Sequence, residues 1–194
     1  NERLIKDKSL PLLFRRFSYV KNNNFEIYHS SFFRPIKSDK NVKVVLTIHD
    51  FIYEKFSSYW ARTVHVFLKN RALKQADVVI CVSESTRQDF FKFYPDFNKK
   101  KVRVIYNGVD DEFKQIKKTE FIQIGDLSLK KDNFLLYVGN RGYCKNFSFV
   151  IKLFGNLPPK LTNFKLVCVG GGTPTKKELK KLKELKKYKN IKFI

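Results

Sequence analysis

Apolar residues in this chain fall into short runs separated by polar breaks, and the spacing inside each run decides which element it predicts. Residues 42–48, 78–82, 102–106, 134–138 and 164–169 are near-continuous apolar runs of strand length, rich in β-branched and aromatic side chains. They predict strands. The run at 134–138, bounded by Asn133 and Gly139, has the pattern of a buried strand, a weaker run at 25–28 predicts a short one, and residues 191–194 are β-like. Residues 61–76 put Val64, Phe67, Leu68, Ala72 and Ala76 on one stripe, with Arg62, Lys69, Arg71 and Lys74 elsewhere, which predicts an amphipathic helix. His65 lies beside that stripe as a surface or packing residue.

Cap signals place three more helices. Ser85 with Gln88 forms a capping box for a helix running to Tyr94 before Pro95, and Asn146 is a candidate N-cap for 147–154. Thr175 with Glu178 forms a second box, opening a helix with Leu179, Leu182 and Leu185 on one face. Residues 4–20 have mixed helical spacing that ends at the Lys21 to Asn24 break. Residues 110–132 have no sustained period and are predicted to be a linker.

Strands alternating with helices predict an α/β architecture of parallel sheets, in which ligands sit beyond the carboxyl ends of the strands. The chain places His29, His49-Asp50, Ser83-Glu84, Asn107-Gly108, Gly139-Asn140-Arg141 and Gly170 to Gly172 there. Most of its unusual polar and glycine residues therefore collect at strand ends. Caps and glycines are also what entry into a helix requires.

The segment FLLYVGNRGYCKNF, residues 134–147, carries the most chemistry. A strand stops at Gly139, Gly142 allows a turn, and Arg141 and Lys145 precede a helix start at Asn146. Backbone N–H groups at a helix N-terminus beside two cations suit a phosphate or diphosphate. Two solvated cations among the 40 Lys and Arg of the chain would look the same. The triplet Gly170 to Gly172 resembles a phosphate loop without matching G-x-G-x-x-G, and a tight turn into the next helix accounts for it equally well. His49 leaves a buried strand with Asp50 beside it, in position to orient a substrate or move a proton, whereas His29 ends a weaker strand and is read as structural. Scattered histidines, no paired carboxylates and no nucleophile elbow argue against a metal centre or a hydrolase.

Composition sharpens this only in part. The net charge of +22 will draw polyanions or anionic lipid whatever the fold, and part of it reflects a Lys-, Asn- and Ile-rich coding bias. The lysines of 176–189 are read as a solvated helix face. Cys81 and Cys168 lie in apolar runs and Cys144 in a loop, without C-x-x-C spacing, so a reducing, cytosolic setting fits. No signal peptide is apparent, and no apolar run approaches the ~18 residues of a membrane span. Starting at Asn1 and stopping in a β-like run, the chain is expected to be a fragment.

Taken together and in order, the segments IYHSSFFRP, LTIHD, ADVVICVSESTRQDF, KVRVIYNGVD, LLYVGNRGYCKNF and KLVCVGGG resemble the GT-B fold glycosyltransferases of family 4, the glycosyl transferases group 1 type. The resemblance runs from about Phe25 to the end. It implies two Rossmann-like domains facing each other across a cleft, both incomplete here: 1–110 on the acceptor side, a linker at 111–132, and the start of a nucleotide-sugar-binding domain at 133–194. Arg141 and Lys145 match the residues that bind the donor diphosphate and stabilise the leaving nucleotide, and His49 matches the histidine near the transferred sugar. Asp50, Ser83, Asn107, Gly139, Asn140, Gly170 and Gly171 are the expected substrate contacts.

The resemblance further implies transfer with retention of configuration, without metal or cofactor. The donor would be a nucleotide-diphosphate sugar carrying a hexose such as mannose or glucose, and the acceptor a glycan or lipid-linked molecule. A cytoplasmic enzyme in peripheral contact with the inner, anionic membrane face is expected. The family's first strand with its glycine loop and its later E-x7-E region are missing, so an incomplete active site is expected. The competing expectation is a basic α/β module binding nucleic acid through the 176–189 helix. That helix has only Tyr188 for base stacking, which counts against it.

Overall fold

The structure, a computed structural model, describes residues 17–21, 25–38, 41–114, 121–125, 127–130, 133–142, 145–161, 163–184 and 188–194. Cys144, Leu185 and most of the helix expected over 4–20 lie outside them. The chain divides into two compact units, 1–110 and 111–194.

In the first unit β1 (Val20–Lys21), β2 (Ile27–Ser30), β3 (Ile36–Lys37) and β4 (Lys43–Ile48) precede α1 (Ile52–Phe56) and α2 (Tyr59–Gln75). Then come β5 (Val78–Cys81), α3 (Glu84–Phe93), a 3-10 turn at Lys99–Lys101 and β6 (Val102–Val104). Strands β2, β4, β5 and β6 form a parallel sheet in the order β2-β4-β5-β6. β1 pairs with β3 in a small parallel ladder. Near-continuous apolar runs suit strands covered on both faces, and Leu46, Ile48, Val79 and Cys81 are fully buried. They pack with Phe51, Leu68, Ala72, Leu73 and Phe90 into one core.

Four expectations change here. The strand expected at 25–28 is shifted to Ile27–Ser30, so His29 lies within β2, and Val20, expected to be helical, is in β1. The buried face of α2 is His65, Leu68, Lys69, Ala72 and Leu73, rotated from the predicted stripe, while Val64 and Phe67 are exposed. A lysine can take a core position because Glu54 on the unanticipated α1 partners it. The N-cap of α3 is Ser83, whose hydroxyl accepts from the Thr86 N–H, so the helix starts ahead of the expected Ser85 box.

The second unit contains β7 (Phe121–Ile124), β8 (Leu127–Lys130), β9 (Phe134–Val138), α4 (Phe147–Gly155), a 3-10 turn at Pro159–Leu161, β10 (Lys165–Val169), α5 (Lys176–Lys183), a 3-10 turn at Tyr188–Asn190 and β11 (Ile191–Phe193). The expected linker therefore holds an antiparallel hairpin, β7 with β8, in register Phe121↔Lys130 to Ile124↔Leu127. Strands β9, β10 and β11 are parallel in the order β11-β10-β9. β10 is central, with Leu166, Val167 and Cys168 buried, and α4 and α5 contribute Phe147, Phe154 and Leu182 to the same core. β9 is half-buried rather than buried, because alternate side chains point off the core and leave Leu136 and Val138 exposed. The Thr175–Glu178 capping box is present as expected.

Candidate functional site

The first unit offers the carboxyl edge of β4, β5 and β6. His49 and Asp50 leave β4 directly, and both are exposed. Their backbone is fixed from two sides: the Thr86 hydroxyl donates to the His49 carbonyl at 3.3 Å, and the Lys69 ammonium donates to the Asp50 carbonyl at 3.3 Å. Asp50 Oδ1 accepts from the Ile52 N–H at 3.0 Å, starting α1. Ser83 is engaged as the cap of α3, and Asn107 and Gly108 are exposed beyond β6. His29 Nε2 pairs with Thr47 Oγ1 at 2.7 Å, a link between neighbouring strands that matches its structural reading.

Under the His49 loop lies a group the sequence did not announce. Lys69 is fully buried, 2.5 Å from Glu54 Oε1 and 4.0 Å from the centre of the Phe51 ring. His65 stacks on Tyr53 at 4.1 Å, with Nδ1 3.7 Å from the same Glu54 oxygen. Burial would raise the Glu54 carboxyl, but the His65 ring beside it and the hydrogen-bonded Lys69 ammonium outweigh it and hold the group below its ordinary value. Burial lowers the Lys69 ammonium, and the Glu54 carboxylate offsets this only in part. A Lys at a helix position facing the core, with an acid within reach on the preceding segment, is the signal that could have revealed the pair. A cavity of about 480 Å³ lined by Glu54, Arg62, Thr63, Val66, Phe67, Asn70 and Phe93 opens beside it.

In the second unit, Gly139, Asn140 and Arg141 follow β9, and Gly170 to Gly172 follow β10, so both loops share one sheet edge. Gly139 has φ +132°, and the three consecutive glycines have φ of +90°, +75° and +64°, a path only glycine follows without strain. Asn140 is exposed, its Oδ1 accepting from the Gly142 N–H at 3.3 Å. Asn146 precedes α4 in the left-handed region, at φ +47°, and makes no side-chain cap hydrogen bond. Lys145 beside it is exposed.

Arg141 is placed differently from its expected role as a diphosphate ligand. Its side chain is only 5% exposed. Nε donates to Glu178 Oε1 at 2.9 Å, Nη1 to the Gly170 carbonyl at 2.9 Å, and Nη2 to the carbonyls of Gly171 at 3.0 Å and Thr173 at 3.2 Å. The guanidinium also lies 5.2 Å from the Phe193 ring centre. The Thr175 N–H above all, with Arg141, holds the Glu178 carboxyl below its ordinary value. Of the two expected cations, the structure leaves Lys145 facing solvent and ties Arg141 into the loop.

Lys176, Lys180 and Lys183 of α5 are exposed, as a solvated face requires, while Leu182 faces the core. Among the described residues no group of three or more His, Cys, Asp or Glu could hold a metal ion, and no helix is long and apolar enough to cross a membrane.

Comparison with known proteins agrees with the architecture. Residues 4–113 match the family described as Glycosyltransferase Family 4, and residues 118–194 match Glycosyl transferases group 1. No curated protein matches the chain. Among solved structures, a crystal structure of a mutant S. aureus TarM is 16% identical with a TM-score of 0.57, covering 79% of this chain and 28% of that one. A second TarM structure is 17% identical with a TM-score of 0.58, covering 80% of this chain. The chain thus spans 28% of the length of either TarM structure. At this identity the likeness concerns the fold, an α/β arrangement of parallel sheets that forms part of the GT-B fold. With a family match over more than half its length, and a second family match following it in order, the chain belongs to Glycosyltransferase Family 4.

Proposed function

We propose that this chain is part of a glycosyltransferase that moves a sugar from a nucleotide-diphosphate sugar to a glycan or lipid-linked acceptor. The observation that carries the reading is the carboxyl edge of β9 and β10, where an exposed lysine at a helix start shares the edge with consecutive left-handed glycines. Such an edge can meet a diphosphate with backbone N–H groups and one mobile cation. The mutant TarM structure contains Fondaparinux, alpha-GlcNAc-glycerol and UDP, ligands of the same chemical classes.

Within this reading Lys145 neutralises the leaving diphosphate and His49 contacts the transferred sugar or the acceptor. Asp50, Asn107, Gly139, Asn140, Gly170 and Gly171 shape the substrate site through their backbone or polar groups, and Ser83 acts through the helix it caps. Configuration is retained, the donor sugar is a hexose of the mannose or glucose type, and the reaction uses neither metal nor cofactor. A surface with a net charge of +22 favours a cytoplasmic enzyme resting on the anionic inner face of a membrane.

The test is a binding titration of the protein with UDP, GDP and ADP, followed by release of nucleotide from the matching sugar nucleotides. At least one diphosphate should bind, and Lys145→Ala should weaken it about tenfold or more, the scale of a hydrogen bond to a charged group. Equal affinity of wild type and Lys145→Ala for every nucleotide would remove the basis of the reading.

A further inference from the structure

The Arg141 side chain closes a ring that runs through two elements. Its guanidinium holds the carbonyls of Gly170, Gly171 and Thr173 and the carboxylate of Glu178. Glu178 in turn accepts the Thr175 N–H at 2.7 Å, while its own N–H donates to Thr175 Oγ1 at 3.2 Å. The glycine loop is therefore fastened along its length by the guanidinium and at its far end by the helix cap. Four donations engage most of the five N–H groups a guanidinium has, and the charge is already paired with a carboxylate. The fit is tight: a Cβ at Gly171 would come within 2.9 Å of Arg141 Nη1, and one at Gly170 within 3.3 Å of the Gly139 carbonyl.

We infer that Arg141 and Glu178 are a positioning pair that sets the conformation of the 170–175 loop, and that Arg141 acts on a bound diphosphate through this loop rather than by touching it. With three loop carbonyls turned toward the guanidinium, the path of the left-handed glycines is fixed before any ligand arrives. A pre-formed loop avoids the ordering that a flexible one would require on binding. The Gly170 N–H is already bonded to the Ile194 carbonyl at 3.2 Å, so the pair governs the part of the loop that follows it. The inference rests on the donor reading above for its ligand, but the pair itself is a property of the free protein.

Direct contact and positioning differ in how variants behave. If Arg141 touches the phosphates, Glu178→Gln removes a competing negative charge, so UDP should bind as well as before or more tightly, and Arg141→Lys should keep much of the affinity. If the pair positions the loop, Glu178→Gln, Arg141→Lys and Arg141→Ala should each weaken UDP binding by about tenfold. The Arg141→Ala/Glu178→Gln double variant should then be no worse than Arg141→Ala, because one interaction is being removed twice. Hydrogen exchange of the Gly171, Gly172, Thr173 and Thr175 amides in the free protein should accelerate about tenfold in all three single variants.

Unchanged or tighter UDP binding by Glu178→Gln, or rescue by Arg141→Lys, would overturn the inference. Should wild type bind none of UDP, GDP and ADP, the donor reading falls, and the exchange measurement alone decides the pair. Unaltered exchange at 171–175 in the variants would then sink it.

Discussion

Lys69 and Arg141 are cations that the fold treats unlike the other lysines and arginines around them. Lys69 is wholly buried against Glu54 and the Phe51 ring. Lys69→Ala would strand the Glu54 carboxylate without its partner and should destabilise the protein by about 3–5 kcal/mol, read from the urea midpoint. Lys69→Met with Glu54→Leu removes both charges and should recover most of that loss. The pair also fixes a pH response. The Glu54 carboxyl lies below its ordinary 4.5 in the folded state, so the folded protein binds fewer protons there than the unfolded chain. Its contribution is complete above 4.5 and disappears as pH falls through the lower folded value. Glu54→Gln should flatten the acid limb of a stability profile, and an unchanged limb would assign acid sensitivity to other groups. At this scale the sequence was least legible. A stripe drawn from apolar letters put Lys69 outside and Val64 and Phe67 inside, because an ion pair buried between α1 and α2 leaves no trace in the pattern of either segment alone.

The elements were easier to foresee where packing dictates composition. Strands β4, β5 and β10 lie in the interior of parallel sheets, so nearly every residue must be apolar, and their positions followed from the sequence within a residue or two. The hairpin β7–β8 escaped because it is short and largely exposed. Its alternation, Phe121-Ile122-Gln123-Ile124 then Leu127-Ser128-Leu129-Lys130 around Gly125 at φ +53°, was nonetheless a period-two signal. The helix α1 spans five residues and is too short to show any period. Cap and loop chemistry give three predictions at this scale. Ser83→Ala removes the acceptor for the Thr86 N–H and should cost about 1 kcal/mol of stability, measured by thermal or urea unfolding. A loss of nucleotide affinity beyond what that destabilisation produces would instead make Ser83 a ligand-contacting residue. Gly171→Ala combines a left-handed φ of +75° with a Cβ against Arg141, and should destabilise the protein by about 1–2 kcal/mol. Gly108→Ala, with open space around it and no positive φ, should be nearly silent.

Each of the two units builds its core from its own residues: Leu46, Ile48, Val79 and Phe90 with their neighbours in the first, Phe154, Leu166, Cys168 and Leu182 in the second. The boundary between the units falls after residue 110, and the stretch expected to be a linker joins the second unit through its hairpin, where Leu129 is buried. Substrate and acceptor chemistry was not legible from the same letters, because it depends on where side chains point from loops that share no periodic constraint. The cores also carry built-in reporters. Cys81 lies in β5 of one unit and Cys168 in β10 of the other, and burial pushes each thiol up from 9.0 to about 11. A thiol pushed up this far is almost wholly protonated at neutral pH, and burial blocks access as well. Both thiols should therefore label slowly with iodoacetamide in the native protein, and mainly through opening of the strand that carries them. Phe90→Ala empties a fully buried site in the first core and should cost about 3–5 kcal/mol there. Peptide-resolved labelling should then show Cys81 reacting faster while Cys168 keeps its wild-type rate. Equal acceleration at both cysteines would mean that the units open as one cooperative body, since a cavity confined to the first core can reach Cys168 only by unfolding the second with it.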